Sequence, residues 1–153
     1  MEQYQFTFNL ASIKTLSFSI REPKDLKNAT DLNYEINYDF IPKIGIDFDD
    51  KKVKIVLDVN GTIQNTDELL LDSSVEFIFS IHNLEDLISK KKDGFEIKDS
   101  QWTVVILSVA LSTLRGIIFA KSEGSFLQKK PIPVIDPNKF IKIPEQDLSE
   151  GKD

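Results

Sequence analysis

Residues 102–120 read WTVVILSVALSTLRGIIFA, a segment in which thirteen of nineteen residues are apolar and only Arg115 is charged. This length and apolarity predict a helix of about five turns, which is long enough to cross a bilayer. Wound at about 100° per residue, Ser108, Ser112 and Arg115 fall on one narrow stripe, and apolar residues cover most of the remaining circumference. A helix packed on one side only would need a narrower apolar face.

Three environments explain so wide an apolar arc: lipid, the centre of a large core, or burial on two sides. A chain of 153 residues is one domain and is too small to surround a helix completely. No positively charged flank orients a membrane span, since Asp99 precedes the segment and Lys121-Ser122-Glu123 follows it. We therefore expect no stable membrane insertion, and a helix buried between its own sheet and a partner subunit. The expected interface residues are Leu107, Leu111, Leu114 and Ile118.

The composition is that of a globular domain, with 41% hydrophobic and 29% charged residues. The net charge of −6 argues against nucleic acid as a partner, because the densest basic run, Lys90-Lys91-Lys92, is followed at once by Asp93. Cysteine is absent, so disulfides and thiolate metal sites are excluded. The first residues show neither the basic nor the apolar region of a signal peptide, and we expect a cytoplasmic protein.

Four segments before the helix alternate between apolar and polar residues, which predicts strands with one buried face. Their apolar positions are Tyr4, Phe6, Phe8, Leu10, Leu16, Phe18 and Ile20; Tyr34, Ile36, Tyr38 and Phe40; Val53, Ile55, Leu57 and Val59; and Leu69, Leu71, Val75, Phe77, Phe79 and Ile81. The first pattern breaks at Ser12 and Lys14, which predicts a bend or bulge. Residues 41–48 contain Pro42 and Gly45, so we expect an irregular apolar segment there.

Asn60-Gly61 would ordinarily predict a two-residue hairpin turn. A turn at this point would place Thr62 and Gln64 in the core, whereas a continuous strand keeps Ile63 in phase with Val59. We therefore expect a bulge or a close approach at Gly61 and place the turn at residues 65–68.

A polar stretch, residues 82–99, leads to a helix capped at Asp99 or Ser100. Beyond the helix, prolines 131, 133 and 137 exclude regular structure until a short helix, at most 138–143, which Pro144 ends. The expected fold is α+β: a four-stranded antiparallel sheet with one long helix packed on one face and a short C-terminal helix. Residues 1–143 form one domain, and 144–153 form a disordered polar tail.

Catalytic chemistry is poorly represented. The single histidine, His82, has no cysteine or second histidine to make a metal site or an activated nucleophile. Residues 47–50, Asp-Phe-Asp-Asp, are interpreted as a charged turn rather than a cation site. No phosphate-binding glycine loop or nucleophile elbow occurs. We expect no enzymatic activity, no metal and no cofactor.

The second half of the chain resembles the SecB family of export chaperones. Gly124-Ser125-Phe126 is similar to the Gly-Thr-Phe that follows the long helix in that family, and Pro133-Val134 lies at the spacing of its Pro-Val-Asn-Phe. Arg115 falls within one residue of a helix arginine of the family, and residues 77–81, Phe-Ile-Phe-Ser-Ile, resemble its Ile-Phe-Ser-Ile strand end. Leu127 replaces the usual proline, and Ile135-Asp136 replaces Asn-Phe.

The resemblance implies a homotetramer, a dimer of dimers whose long helices meet across the subunit interface. It also implies a hydrophobic groove that holds unfolded polypeptide clients in extended form. An acidic sheet face that docks the translocase motor ATPase is the third implication. The candidate groove residues are Tyr38, Phe40, Ile41, Ile44, Trp102, Phe126 and Phe140. The candidate docking residues are Glu35, Asp39, Asp58 and Glu76.

These observations favour an ATP-independent holdase that binds clients on exposed apolar surface, for protein export. A SecB-like chaperone that protects the antitoxin of a toxin–antitoxin system is an alternative, as is an adaptor that uses the same fold to bind one folded partner. A small-ligand binder or enzyme is disfavoured by the lack of catalytic groups.

Overall fold

The computed structural model describes residues 6–24 and 35–140. Its main sheet contains four strands: β1 (Phe8–Ile20), β2 (Ile36–Asp47), β3 (Lys52–Ile63) and β4 (Leu69–Ile81). All neighbours are antiparallel, and the strand order is β1-β4-β3-β2. The expected four-stranded antiparallel sheet is therefore confirmed, with β1 and β2 at its two edges.

The two faces of the sheet differ in burial. The inner face carries the core residues of the central strands, among them Val53, Ile55, Leu57, Val75, Phe77 and Phe79, each at most 1% exposed. The outer face carries the alternate residues, such as Lys54, Asp58 and Glu76. This alternation is the predicted one, because side chains along a strand point to opposite faces in turn.

Strand β1 is irregular at two points. Its register against β4 shifts between Leu10 and Ser12 and again between Thr15 and Ser17. The first irregularity lies where the sequence predicted a break. The second places Leu16 in a bulge, where its side chain is 47% exposed, so the expectation that Leu16 continues the core phase is wrong.

Strand β2 runs on through the segment that the sequence predicted to be irregular. Pro42 lies opposite Leu57, and Gly45 lies opposite Lys54, in an unbroken ladder with β3. The reason is the edge position of β2: every second amide of an edge strand points away from the sheet, so a residue without an N–H fits there. The prediction of an irregular segment at residues 41–48 is therefore wrong for 41–47.

Gly61 is a close-approach glycine within β3, as expected. A Cβ at this position would lie 3.1 Å from Cε1 of Tyr38 and 3.2 Å from Cβ of Leu71. The register with β4 shifts directly after Gly61. The following turn contains Asn65 with a φ of 62°, within the span predicted for the turn.

The polar stretch after β4 folds into two small elements that the sequence did not predict. These are a single helical turn, α1 (Leu84–Leu87), and a hairpin of β5 (Ile88–Lys91) and β6 (Gly94–Ile97). Leu84, Leu87 and Ile88 are each at most 2% exposed and belong to the core. Only these three residues of the stretch are buried. Because the rest of the stretch is polar, its sequence did not indicate that any part of it packs in the core.

The long helix, α2 (Gln101–Lys121), confirms the predicted segment. Oδ1 of Asp99 accepts a hydrogen bond from the backbone N–H of Gln101 at 2.9 Å and so caps the first turn. By length and composition alone, α2 would suffice to cross a membrane. Its buried residues, however, lie against β3 and β4 of the same chain.

Beyond α2, Gly124 takes a φ of 79°, and the chain turns into a 3₁₀ turn, Phe126–Lys129. Leu127 is 3% exposed, so the leucine that replaces the family's proline is a core residue. A second 3₁₀ turn, Pro137–Lys139, stands where a short helix was expected. Residues 141–143 of that expected helix and the tail 144–153 lie outside the described residues.

Candidate functional site

Residues 130–140, which we call the strap, lie between α2 and the inner face of β2. Pro131, Pro133 and Pro137 remove three amide donors, and residues 131–136 form neither helix nor strand. Two carbonyl groups of the strap are held by side chains from opposite sides. The phenol of Tyr38 donates to the carbonyl of Lys130 at 2.9 Å, and Nε of Arg115 donates to the carbonyl of Ile132 at 3.1 Å.

Tyr38 is positioned by β2 and by the glycine opposite it. It pairs with Gly61 across the ladder, and the missing side chain of Gly61 leaves room for the phenol ring. Partial burial raises the pKa of Tyr38 to about 12. The phenol is therefore protonated at neutral pH and available as a donor to the strap.

Arg115 is half-buried, and it is the one charged residue of segment 102–120. Its bond to the carbonyl of Ile132 fixes the strap beside α2, and the Ile132 side chain is 5% exposed. The resemblance identified Arg115 but gave it no role. The structure shows that it binds the backbone of the strap.

The far end of the strap meets β2 through two aromatic rings. The rings of Phe40 and Phe140 lie with centroids 6.3 Å apart at an interplanar angle of 66°, an edge-to-face contact. Both residues are half-buried and pack against the main core. We call Tyr38, Phe40 and Phe140 the aromatic surface. All three were predicted as groove residues, and the structure brings them together.

The other predicted groove residues are distributed differently. Ile44 lies beyond Phe40 and Pro42 on the inner face and is 41% exposed. Phe126 is half-buried beside the core. Ile41 is 51% exposed but lies opposite Asp58 on the outer face, so it cannot line the same surface. Trp102 is 1% exposed, and its Nε1 has no acceptor in the described part of the chain. Ile41 and Trp102 therefore do not belong to the aromatic surface.

A cleft of about 390 Å³ separates α2 from the distal half of the strap. Ser108, Ser112 and Arg115 line it on the helix side, which is the polar stripe identified in the sequence. Val134, 80% exposed, and Pro137 line it on the strap side. Asp136 at the same rim accepts hydrogen bonds from the backbone and side-chain nitrogens of Asn138, and these lower its pKa.

The predicted interface residues of α2 lie on its inner side. Leu107, Leu111, Leu114 and Ile118 are each at most 3% exposed and belong to the chain's own core. The expectation that they meet a partner helix is therefore corrected, because the sheet already covers them. The solvent-facing side of α2 carries Val105, Ser108, Ser112, Gly116 and Phe119.

The predicted docking residues do not form a uniformly acidic face. Asp58 pairs with Lys43 at 2.9 Å, Glu76 with Lys54 at 3.0 Å, and Glu35 with Lys130 at 3.9 Å. The pKa of Asp58 is lowered, first by the hydrogen bond from the Ser74 hydroxyl and then by Lys43. Asp39 is exposed on the outer face. Lysines among these carboxylates make the outer face one of mixed charge.

Groups that would suit metal or acid–base chemistry are scattered. Among residues 6–24 and 35–140, no three His, Cys, Asp or Glu side chains lie together in a way that could hold a metal ion. Oδ1 of Asp47 accepts from the backbone N–H of Asp50 at 3.0 Å, as in the charged turn predicted for residues 47–50.

No protein-family model and no curated protein matches the chain. Among solved structures, the chain is similar to the SecB-like chaperone Rv1957 of Mycobacterium tuberculosis, in complex with a ChAD peptide from the Rv1956 HigA1 antitoxin. The TM-score is 0.53 at 10% sequence identity, over 84% of this chain and 87% of that chain. A likeness at this identity concerns the course of the backbone. The protein therefore has an α+β fold of the SecB-like type.

Proposed function

We propose that the protein is a chaperone that binds unfolded or extended polypeptide segments on the inner face of β2, without nucleotide, metal or covalent chemistry. One observation carries this proposal: a proline-rich segment without regular structure, the strap, already lies against that face. Tyr38 of β2 holds its Lys130 carbonyl, and Arg115 of α2 holds its Ile132 carbonyl. Backbone recognition does not depend on side-chain identity, which suits a binder of many sequences.

The client would bind to the exposed part of the aromatic surface, beside the strap, and would not displace the strap. Phe40 and Phe140 keep part of their ring area in solvent, and Ile44 continues the inner face beyond them with 41% of its surface exposed. Apolar client side chains placed there would remove this area from water, at about 25 cal/mol per Å². We propose a cytoplasmic holdase in protein export as the cellular role.

The test is a matched pair of neighbouring substitutions. Phe40→Ser removes inner-face contact area, whereas Ile41→Ser removes a more exposed apolar side chain from the outer face. Phe40→Ser, alone or with Phe140→Ser, should weaken binding of a reduced, unfolded client at least tenfold, or about 1.4 kcal/mol. Ile41→Ser should leave it unchanged. Binding is followed by fluorescence, and thermal melts establish that each variant is folded.

Equal client affinity for the two variants would show that clients do not bind to the inner face of β2. Wild-type protein that fails to suppress aggregation of several unrelated unfolded proteins would favour the adaptor alternative, since an adaptor recognises one folded partner.

A second candidate function is protection of an antitoxin in a toxin–antitoxin system. The observation that favours it is the similar fold of Rv1957, which was solved with an antitoxin peptide. A toxin–antitoxin pair in the genes that flank the coding sequence, together with binding of that antitoxin in preference to general clients, would decide for this function over export. Docking to a translocase motor ATPase through the outer face is part of the export proposal and not of this second candidate.

A further inference from the structure

A second cleft lies at the opposite end of β2 from Tyr38, between the turn that follows β2 and the β5–β6 hairpin. Its volume is about 590 Å³, within the range of roughly 300–1,000 Å³ typical of ligand pockets. Ile46, Phe48 and Phe95 supply its apolar lining, and Lys90, Lys91 and Lys92 border it. We call it the basic cleft. It lies apart from the aromatic surface and has no role in the function proposed above.

The apolar lining of the basic cleft is accessible. Phe48 is half-buried, and Phe95 is 41% exposed. Phe95 pairs directly with Lys90 across the hairpin, so both side chains project from the same face. Nζ of Lys90 lies 5.9 Å from the centroid of the Phe48 ring, near the outer limit for a cation–π contact. The cleft therefore combines aromatic side chains with ammonium groups.

Two of the three lysines have no anionic partner among residues 6–24 and 35–140. Lys91 pairs with Glu96 at 2.9 Å. Lys90 and Lys92 form no ion pair with any described residue. What sets these two lysines apart is their position beside exposed aromatic rings, where a carboxylate and a neighbouring apolar side chain of one partner can bind together.

The acidic residues of the cleft narrow the class of partner. Asp47 and Asp49 also line it, and they would repel a continuous polyanion such as nucleic acid. A peptide whose carboxylates are separated by apolar residues can place its acids at Lys90 and Lys92 and its apolar side chains on Phe48 and Phe95. The hairpin is a separate two-stranded sheet among the described strands, so its outer edges can accept an extended chain by backbone hydrogen bonds.

We propose that the basic cleft is a docking site for an extended acidic peptide in which Glu or Asp alternates with aromatic or aliphatic residues. The inference does not rest on the chaperone function. Phe40→Ser, which tests the aromatic surface, should leave binding at the basic cleft intact.

The probe is an eight-residue peptide that alternates Glu with Phe and Leu, labelled at its N-terminus and followed by fluorescence anisotropy with the full-length protein. Each measurement is repeated with Phe40→Ser in the background, which separates binding at the basic cleft from binding at the aromatic surface. We expect Lys90→Glu combined with Lys92→Glu to weaken binding at least tenfold. Lys24→Glu combined with Lys129→Glu changes the net charge equally at exposed sites elsewhere and should weaken it less than twofold. Wild-type affinity should also fall as salt rises, because exposed charges are screened.

A second pair of variants tests the apolar lining. Phe95→Ser should weaken binding severalfold, whereas Phe119→Ser, at a comparably exposed phenylalanine on α2, should not. A peptide with Lys in place of Glu should bind at least tenfold more weakly than the acidic one. Equal affinity for the two peptides, or equal effects of the two lysine pairs, would overturn the proposal, as would stronger binding of single-stranded DNA.

The chain itself contains an acidic segment outside the described residues, with Glu145, Asp147 and Glu150. Replacing these carboxylates by their amides in the full-length protein should leave the affinity for the acidic peptide unchanged. A gain in affinity would show that this segment of the chain competes with the peptide for the cleft. It would overturn the proposal that the occupant is an external peptide.

Discussion

Tyr38 is the residue at which β2, β3 and the strap meet. Its ring occupies the space that Gly61 leaves open, and its hydroxyl holds the carbonyl of Lys130. The alternation of β2 predicted that Tyr38 faces inward. Its hydrogen bond could not be predicted, because it depends on the tertiary course of a segment 92 residues further along the chain.

Tyr38→Phe should lower the free energy of unfolding by about 0.5–1.5 kcal/mol, the usual net value of one hydrogen bond. It should also change the pH dependence of stability. The pKa of Tyr38 is about 12 in the folded protein and 10 in its ordinary state. Its favourable protonated state is fully present below pH 10, and stability is lost as pH rises from 10 to 12, because the unfolded chain ionises first.

Urea denaturation of wild type and Tyr38→Phe at pH 9 and pH 11.5 measures this effect. The difference in unfolding free energy between the two proteins should shrink at the higher pH. A difference that stays constant would show that burial does not raise the pKa of Tyr38 in the folded protein.

At the scale of elements, the sequence was most informative where a strand is paired on both sides. The strict alternation of β3 and β4 follows from their central position, where one face is covered by α2 and the other faces outward. The edge strand β2 tolerates Pro42 and Gly45. Interpreting these two residues as breaks, as they would be in a central strand, therefore predicted a β2 that is too short. The hairpin β5–β6 was missed because four-residue strands carry almost no periodicity.

The phase of β3 is tested by two adjacent residues. Leu57 is 1% exposed on the inner face, so Leu57→Asp would bury an unpaired charge and should cost several kcal/mol, enough to unfold a domain of this size. Asp58→Leu loses the bond from Ser74 and the partly exposed pair with Lys43, which we expect to cost about 1 kcal/mol. Thermal melts of equal midpoint for the two variants would contradict the assigned faces.

Helix α2 shows what composition can and cannot establish. Its existence and bounds were predictable from residues 102–120, and so was its packing on the sheet. Which of its apolar residues remain exposed was not, because several positions of a wide arc suit the core equally well. Leu107, Leu111, Leu114 and Ile118 fill the core, and Val105 and Phe119 face solvent at 39% and 49% exposure.

At the scale of the whole molecule, the solvent side of α2 is now the expected surface for self-association. Small residues, Ser112 and Gly116, lie there between the exposed Val105 and Phe119. A Cβ on Gly116 would meet no atom within 4 Å, so this side can accept a partner closely. The homotetramer remains a prediction.

Light scattering at micromolar concentration should show an oligomer of the wild type. Phe119→Asp should reduce its mass, because a charge in an apolar contact opposes association. Leu16→Asp, at a similarly exposed residue in the bulge of β1, should not change it. A monomeric wild type with a normal melting curve would exclude an interface on α2.

Pro42 and the two register shifts of β1 have a consequence for the proposed binding of unfolded chains. A proline can lie in the β2 ladder only where its missing amide would have pointed outward, so that edge lacks a donor in its middle. The opposite edge is interrupted twice by shifts in register. Both borders are therefore interrupted, which disfavours their use as a template on which a bound chain grows into a fibril. If the protein binds unfolded chains as proposed, its sheet edges are therefore not expected to seed their aggregation.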